Sequence, residues 1–168
     1  IDLTAGFGVV AAGHGNPRVG RAVAEQAGRL THAMGDVHPA DVKVELLERL
    51  AELAPGELSV SILSANGSDA VESALKTAVL ATGRPGVVAF RGGYHGLGYG
   101  SLAVTGIDRF RDPFRRQLYG GVRFAPFPGG GDDPAGALAE VRAEVEAAVG
   151  GEHAVGAVIV EPIQGRGG

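Results

Sequence analysis

Four short runs rich in β-branched residues constrain the fold more than any other feature of this chain. They cover residues 60–63, 87–90, 122–125 and 155–160. The last run is apolar throughout, which is typical of a strand that is covered on both faces. Helical patterns separate the later runs. This alternation predicts right-handed crossovers and a doubly wound α/β fold with a mainly parallel sheet.

Four segments carry apolar residues at the spacing of an amphipathic helix. The first is predicted to begin at Pro17, because Asn16 is a suitable N-cap and proline is favoured at the first helical position. The others are predicted at residues 39–53, at residues 68–81 and from Asp133–Pro134 onward. We expect residues 1–55 to form a helical N-terminal segment or arm, and residues 56–168 to belong to an α/β domain.

Charge and composition exclude several classes of function. The chain has 15 Lys and Arg against 19 Asp and Glu, a net charge of −4, so nothing predicts binding to nucleic acid or a membrane surface. It has no cysteine, and its five histidines lack metal-ligand spacing, so no metal site is predicted. The apolar runs are too short to span a bilayer and no leader is visible, which predicts a soluble, cytoplasmic protein. Its start at Ile1 and its end at Gly168 predict a piece of a longer protein.

Polar, glycine-rich stretches follow three of the predicted strands. They are residues 64–69, 91–96 and 161–165. Ligands of open α/β sheets bind beyond the carboxyl ends of the parallel strands. The three stretches therefore predict one ligand site at that edge of the sheet.

The first stretch leads directly into a predicted helix. Gly67 lets a ligand approach the backbone, Ser68 offers a hydroxyl, and the free N–H groups of a helix start attract an anion such as phosphate. The alternative is an ordinary helix cap, with Asn66 as N-cap and Asp69 in a capping-box role. The residues alone leave both interpretations open.

The second and third stretches offer an aromatic ring and a carboxylate. Tyr94, next to His95, is suited to lie against a planar ligand, although a core tyrosine beside a structural histidine is the alternative. Glu161 follows an apolar strand, so its carboxylate needs a partner, either a ligand or a structural donor. The stretch at residues 6–8 matches a dinucleotide fingerprint only weakly, because only residues 1–4 precede it as a possible strand and residues 13–17 separate it from the next helix; the stretch at residues 96–100 is an equally weak match.

Several stretches together resemble the class III aminotransferases of the ornithine, 4-aminobutyrate and acetylornithine type, which are pyridoxal-phosphate enzymes of fold type I. They occur in the family's order and are residues 8–10, 13–17, 66–76, 92–96 and 158–165. The resemblance implies that residues 56–168 are the first part of the cofactor-binding large domain, with the remainder and a C-terminal small domain outside this sequence.

The resemblance also implies a set of residues that bind pyridoxal phosphate. Gly67 and Ser68 would hold the phosphate at the helix start. Tyr94 would stack on the pyridine ring with His95 beside it, and Glu161 would belong to a carboxylate cluster near the ring and the substrate. The full predicted set is Asn66, Gly67, Ser68, Tyr94, His95 and Glu161.

The resemblance places two further groups of the family beyond Gly168. They are the lysine that forms a Schiff base with the cofactor and the aspartate that pairs with its pyridinium nitrogen. Lys43 lies in the polar first turn of a predicted helix, and Lys76 is predicted to form an exposed ion pair with Glu72, so neither suits the first role. We therefore expect no catalytic residue in this chain and no activity from the 168 residues alone.

Two positions depart from the family's pattern and bear on the substrate. Acetylornithine-type members have an arginine where this chain has Leu97, and many ornithine and 4-aminobutyrate enzymes have a glutamate where it has Arg166. Leu97 favours a less charged amino substrate, whereas Arg166 offers a different contact for a carboxylate.

For the full-length protein the resemblance implies transfer of an amino group from an amine or amino acid to a 2-oxo acid, in a homodimer. Mutases, racemases, decarboxylases and lyases with the same loops are the nearest alternatives. A binding module or inactive fragment without the Schiff-base lysine is the next, and a nucleotide-binding α/β protein is the last.

Overall fold

A computed structural model describes residues 1–35, 37–128, 134–147 and 150–167 of the chain. These residues fall into two compact units, Ile1–Ser61 and Ile62–Gly168. The first unit contains helices α1 (Pro17–Arg29) and α2 (Asp41–Leu53). No helix among the described residues is both long and apolar enough to cross a membrane.

The second unit alternates helices with strands, and it contains every residue of the predicted cofactor set. Its helices are α3 (Gly67–Thr82), α4 (Tyr99–Val104), α5 (Asp108–Arg111), a 3-10 helix (Asp112–Gln117) and α6 (Pro134–Ala147). Its strands are β1 (Gly86–Phe90), β2 (Val122–Ala125) and β3 (Val155–Val158).

Most of the predicted helix starts agree closely with the structure. The side chain of Asn16 accepts a hydrogen bond from the backbone N–H of Arg18 at 3.0 Å, and Pro17 is the first residue of α1, as predicted. Helix α3 begins one residue before its predicted start, and α2 begins two residues after its own. Asp133, predicted to open the last helix, lies outside the described residues.

The three strands form a parallel sheet in the order β2–β1–β3, which confirms the predicted parallel arrangement. The central strand, β1, is buried along its whole length. At the edge of the sheet, β3 ends at Val158, two residues before its predicted end. Val158 and Val160 are 49% and 52% exposed there, because an edge strand is covered less completely.

Helices cover both faces of the sheet. Successive side chains of a strand point to opposite faces, so β1 contributes to two separate clusters. Val88 and Phe90 belong to the cluster that packs against α6, whereas Val87 and Ala89 belong to the cluster that packs against α3 and α4. This two-sided packing confirms the doubly wound α/β prediction.

The strand predicted at residues 60–63 is wrong. This segment has no regular secondary structure, and Val60 and Ile62 are 90% and 66% exposed. A strand is held by hydrogen bonds to a neighbouring strand, and none of the described residues pairs with this segment. Its β-branched composition favours extended backbone but cannot supply that neighbour.

Candidate functional site

The site lies where β1 and β3 end side by side. The two strands are parallel neighbours, so the loop after β1, with Tyr94 and His95, meets the loop after β3, with Glu161. The chain leaves β1 toward β2 on one side, while β3 lies on the other side of β1. Such a point, at which the strand order reverses, is the usual ligand crevice of an open α/β sheet.

Glu161 joins the two loops through one oxygen of its carboxylate and holds its own loop through the other. Its Oε1 accepts a hydrogen bond from the backbone N–H of Tyr94 at 2.6 Å, and its Oε2 accepts one from the N–H of Gly165 at 3.0 Å. Hydrogen bonds to a charged acceptor are stronger than neutral ones. Of the two partners left open for Glu161, the structure thus shows structural donors, which fix the backbone on either side of the crevice.

His95 lies beside this link with an unpaired ring nitrogen. Its Nε2 is buried and has no hydrogen-bond partner among the described residues. Burial lowers the pKa of His95 below 6.5, and the neighbouring Glu161 carboxylate opposes that shift without cancelling it. The backbone N–H of His95 is held by the Oγ1 of the fully buried Thr105 at 3.0 Å. The site therefore contains a fixed imidazole whose buried surroundings disfavour its charged form.

Of the two interpretations that the sequence left open for the start of α3, the structure shows the helix cap. Asn66 Oδ1 accepts a hydrogen bond from the N–H of Asp69, and the Asp69 carboxylate accepts one from Ala65, both at 3.0 Å, which is a reciprocal cap. The N–H groups of Gly67 and Ser68 have no partner among the described residues. A Cβ built on Gly67 meets nothing within 4 Å, so the space beside the Gly67 Cα is open.

The hydroxyl of Ser68 serves to attach α3 to the loop after β1. Ser68 Oγ accepts a hydrogen bond from the N–H of Gly98 at 3.0 Å and lies 2.6 Å from the Oγ of Ser101, which is fully buried. The side chain predicted to contact a phosphate is thus engaged within the fold. The unpaired donor that Ser68 offers to a ligand is its backbone N–H.

Glu72 forms a second connection between α3 and the same loop. Its Oε1 accepts a hydrogen bond from the backbone N–H of Ser101, the third residue of α4, at 2.8 Å. A carboxylate at a helix N-terminus satisfies a free N–H and complements the helix dipole. The predicted Glu72–Lys76 ion pair is wrong, because this part-buried hydrogen bond takes the carboxylate while Lys76 remains exposed.

Close packing explains the glycine-rich stretch at residues 96–100. Gly96 has φ +125°, and a Cβ there would lie 2.7 Å from the Cβ and Oγ of Ser68. A Cβ at Gly100 would collide with the carboxylate of Glu72. Sequence reasoning compared this stretch with a dinucleotide fingerprint and missed Glu72, Ser101 and Thr105 as supports of the site. The glycine spacing was the signal available, and it marks contact with α3.

Tyr94 carries two further contacts that bear on a ligand. Its ring meets the Phe110 ring edge-on, with centroids 5.7 Å apart and planes at 63°. The guanidinium carbon of Arg166 lies 4.5 Å from the centroid of the Tyr94 ring. Leu97, on the same loop as Tyr94, is 57% exposed. Among the described residues, no group of three or more His, Cys, Asp or Glu is placed to hold a metal ion.

The chain is similar to one known family and to several relatives. The family described as aminotransferase class-III matches residues 1–168. Across its whole length the chain is 38% identical to a 5-aminovalerate aminotransferase of Pseudomonas putida, of which it covers 40%, and 38% identical to an acetylornithine aminotransferase of Methanopyrus kandleri, of which it covers 39%. The chain thus spans about two fifths of the length of these relatives.

Two solved structures share the fold over the whole chain. One is a thermostable (S)-enantioselective omega-transaminase from Thermomicrobium roseum, with a TM-score of 0.87 and 29% identity over 40% of that chain. The other is an omega-transaminase from Pseudomonas jessenii in complex with PMP, with a TM-score of 0.87 and 25% identity over 40% of that chain.

Proposed function

The chain belongs to the aminotransferase class-III family, whose model matches all of its residues, and we propose from this that the whole protein transfers an amino group from an amine or amino acid to a 2-oxo acid. Class III aminotransferases use pyridoxal phosphate in general, and we propose it as the cofactor here. Three features lie together in one compact unit, and this observation carries the proposal. They are a helix start with unpaired N–H groups, an aromatic ring, and a loop that a carboxylate links to the neighbouring loop. Residues 56–168 are proposed as the first part of the cofactor-binding domain.

The first turn of α3 fits the cofactor's phosphate. The N–H groups of Gly67 and Ser68 are unpaired, and no side chain fills the space at Gly67. Helix α3 is 16 residues long, so its dipole adds to the attraction of an anion at this end. Asn66 supports the binding indirectly, because its cap holds the first turn in shape.

The loops after β1 and β3 fit the cofactor's ring. Bound pyridoxal phosphate supplies an electron sink for bonds at the amine-bearing carbon. The residues of this chain orient it: Tyr94 offers its aromatic ring, and Glu161 fixes the Tyr94 backbone. His95 offers an uncharged ring nitrogen without a partner among the described residues, which suits a hydrogen bond to a polar atom of the cofactor.

The family's catalytic lysine and aspartate are proposed to lie outside residues 1–168. Of the two lysines present, Lys76 is exposed on α3 and Lys43 belongs to the other compact unit. A homodimer in the cytoplasm is proposed as well, as the family resemblance implies. Sedimentation of the whole protein tests the dimer, and a mass of one chain would contradict it.

The test of the reaction compares incubations with and without an acceptor. The whole protein, loaded with pyridoxal phosphate, is mixed with 5-aminovalerate in the presence or absence of 2-oxoglutarate. We expect one glutamate formed for each amine consumed, and no steady turnover without the 2-oxo acid. Steady product formation without an acceptor would instead support a mutase, racemase, decarboxylase or lyase. Cofactor binding without reaction toward any amine would support a binding module.

A further inference from the structure

We propose that Gln164 is a positioning residue of the cofactor site, which anchors the loop after β3 to the turn after β1 and so fixes the ring of Tyr94 before a ligand binds. This inference rests on the proposed pyridoxal-phosphate function and goes beyond it, because neither the predicted cofactor set nor the supports of the site include Gln164. The side chain is polar but only 8% exposed, whereas most glutamines lie at the protein surface.

The turn after β1 is a fixed base for this anchor. The N–H of Gly93 donates to Phe90 O at 3.1 Å, and Gly92 has φ +79°, which suits the third position of a type II turn. The N–H of Gly92 donates to Gly106 O at 2.9 Å. Since the N–H and C=O of a trans peptide point in opposite directions, the carbonyl of Arg91 points away from Gly106 and needs another donor.

Gln164 supplies that donor. Its Nε2 donates to Arg91 O at 2.8 Å. Glycines limit the space around its amide on two sides, because a Cβ at Gly92 would lie 2.6 Å from Gln164 Oε1 and a Cβ at Gly167 would collide with the same atom. The two loops therefore enclose the amide, and the side chain of Gln164 has the length and the N–H group that this space requires.

The anchor holds the loop that carries Arg166. Glu161 Oε1 joins this loop to the N–H of Tyr94, and Gln164 adds a second connection three residues further along the chain. Arg166 follows, with its guanidinium carbon 4.5 Å from the centroid of the Tyr94 ring. The Phe110 ring packs against the same ring, with centroids 5.7 Å apart. The Tyr94 ring is thus restricted by two neighbours, and the anchor keeps one of them in place.

A ring that is already restricted binds a flat ligand with a smaller loss of entropy. Removal of the anchor is therefore expected to weaken binding of the cofactor's ring about 2- to 10-fold, the cost of ordering one mobile side chain. The phosphate is proposed to lie at the start of α3, outside these two loops. Pyridoxal phosphate and pyridoxal, which lacks the phosphate, should consequently lose affinity by the same factor.

A purely structural function of Gln164 makes a different prediction. Loss of a buried hydrogen bond would then lower the free energy of unfolding and leave the affinity of the folded protein unchanged. A general loosening of the loops would weaken binding whether or not the Tyr94 ring is present. Only a function through Tyr94 makes the loss of affinity depend on that ring.

Calorimetry on the whole protein measures the affinity for both ligands in Gln164→Met, which keeps the length of the side chain and removes its donor. We expect both ligands to bind about 2- to 10-fold more weakly than to the wild type. Gln164→Glu keeps the shape and, as a carboxylate, also lacks the donor, so it is expected to lose at least as much and replaces the methionine variant if that variant does not fold. The matched control is Gln26→Met, which removes a hydrogen bond of the same kind at the surface, from Gln26 Nε2 to Leu30 O at 2.9 Å, and should bind both ligands as the wild type does.

A double substitution shows whether Gln164 acts through Tyr94. Tyr94→Leu removes the ring and keeps the N–H that Glu161 binds. In that background Gln164→Met is expected to change the affinity for pyridoxal by less than about 1.5-fold. Wild-type affinity in Gln164→Met, or an equal loss with and without the Tyr94 ring, would overturn the inference. A wild-type protein that binds both ligands and shows the expected losses, but transfers no amino group, would refute the proposed reaction alone.

Discussion

Glu161 is expected to behave as a link with two separable ends. Glu161→Gln keeps one acceptor oxygen, so it loses one of the two hydrogen bonds from the N–H groups of Tyr94 and Gly165, whereas Glu161→Ala loses both. A hydrogen bond to a charged group contributes about 1.5–3 kcal/mol, and the lower value applies here because the Gly165 end is exposed. Relative to the wild type, the free energy of opening the two loops should therefore be lower by about 1.5 kcal/mol in the glutamine variant and by about 3 kcal/mol in the alanine variant.

Amide hydrogen exchange of the whole protein, followed by mass spectrometry, measures this opening in peptides that contain Tyr94 or Gly165. Since 1.4 kcal/mol corresponds to a factor of ten, protection should fall about tenfold in Glu161→Gln and about a hundredfold in Glu161→Ala. Glu140→Ala, which removes an exposed carboxylate on α6, is the matched control and should change neither peptide. Equal losses in the two Glu161 variants, or no loss in either, would refute the two-ended link.

Three further predictions concern the supports of the site. Ser101→Ala removes a fully buried, hydrogen-bonded hydroxyl and should lower the free energy of unfolding by about 1–3 kcal/mol in urea titrations. The control Thr77→Ala removes an exposed hydroxyl and should lower it by less than about 0.5 kcal/mol. Similar losses in the two variants would contradict the argument from burial. Gly96→Ala should destabilise by more than about 1 kcal/mol, because φ is +125° and the new Cβ would lie 2.7 Å from a side chain of α3. Gly28→Ala, in a helix and with nothing within 4 Å, should be neutral or stabilising by up to about 1 kcal/mol, and the reverse order of the two glycine variants would refute the packing argument. The carbon resonances of His95 should titrate with a midpoint below 6.5, because burial lowers its pKa. Since the folded-state pKa of His95 lies below the unfolded value, its contribution to the free energy of unfolding is present above about pH 6.5 and is lost as the pH falls through the folded-state pKa. His95→Gln should remove this pH dependence of stability. A midpoint at or above 6.5 would contradict the lowered pKa.

Local sequence predicts a helix or strand well when the stability of that element depends mainly on its own residues. Strands β1 and β2 were predicted to within one residue, because their apolar runs suit a covered sheet. The run at residues 60–63 has similar composition but lacks a neighbouring strand among the described residues. Helix α4 was missed because it has only six residues and no N-terminal side-chain cap of its own; Glu72, 29 positions away from Ser101, satisfies its start.

For the site as well, local sequence predicted the elements but not the contacts between them. The order of the elements predicted that all three loops follow parallel strands of one sheet; this is correct for the loops after β1 and β3, whereas residues 64–69 follow no strand. Only the tertiary structure shows which atoms of those loops are available to a ligand. The hydroxyl of Ser68 is occupied by Gly98 and Ser101, and both oxygens of Glu161 are occupied by backbone donors. Except for the Glu161–Gly165 hydrogen bond, which spans four positions, these contacts join residues 30 to 67 positions apart, and no spacing rule for one helix or strand contains them.

The most direct test of the cofactor site changes one donor at the start of α3. Gly67→Pro deletes the N–H at the first helical position, where proline is favoured, and Asn66 already has the extended backbone that precedes a proline (φ −162°, ψ 174°). Gly67→Ala is the matched control, because it keeps the N–H and its Cβ meets nothing within 4 Å. Calorimetry on the whole protein compares pyridoxal phosphate with pyridoxal, which lacks the phosphate. We predict that the proline variant binds pyridoxal phosphate about 10- to 100-fold more weakly than the alanine variant, with equal binding of pyridoxal. Equal binding of pyridoxal phosphate by the two variants, or an equal loss for both ligands, would contradict the placement of the phosphate at this helix.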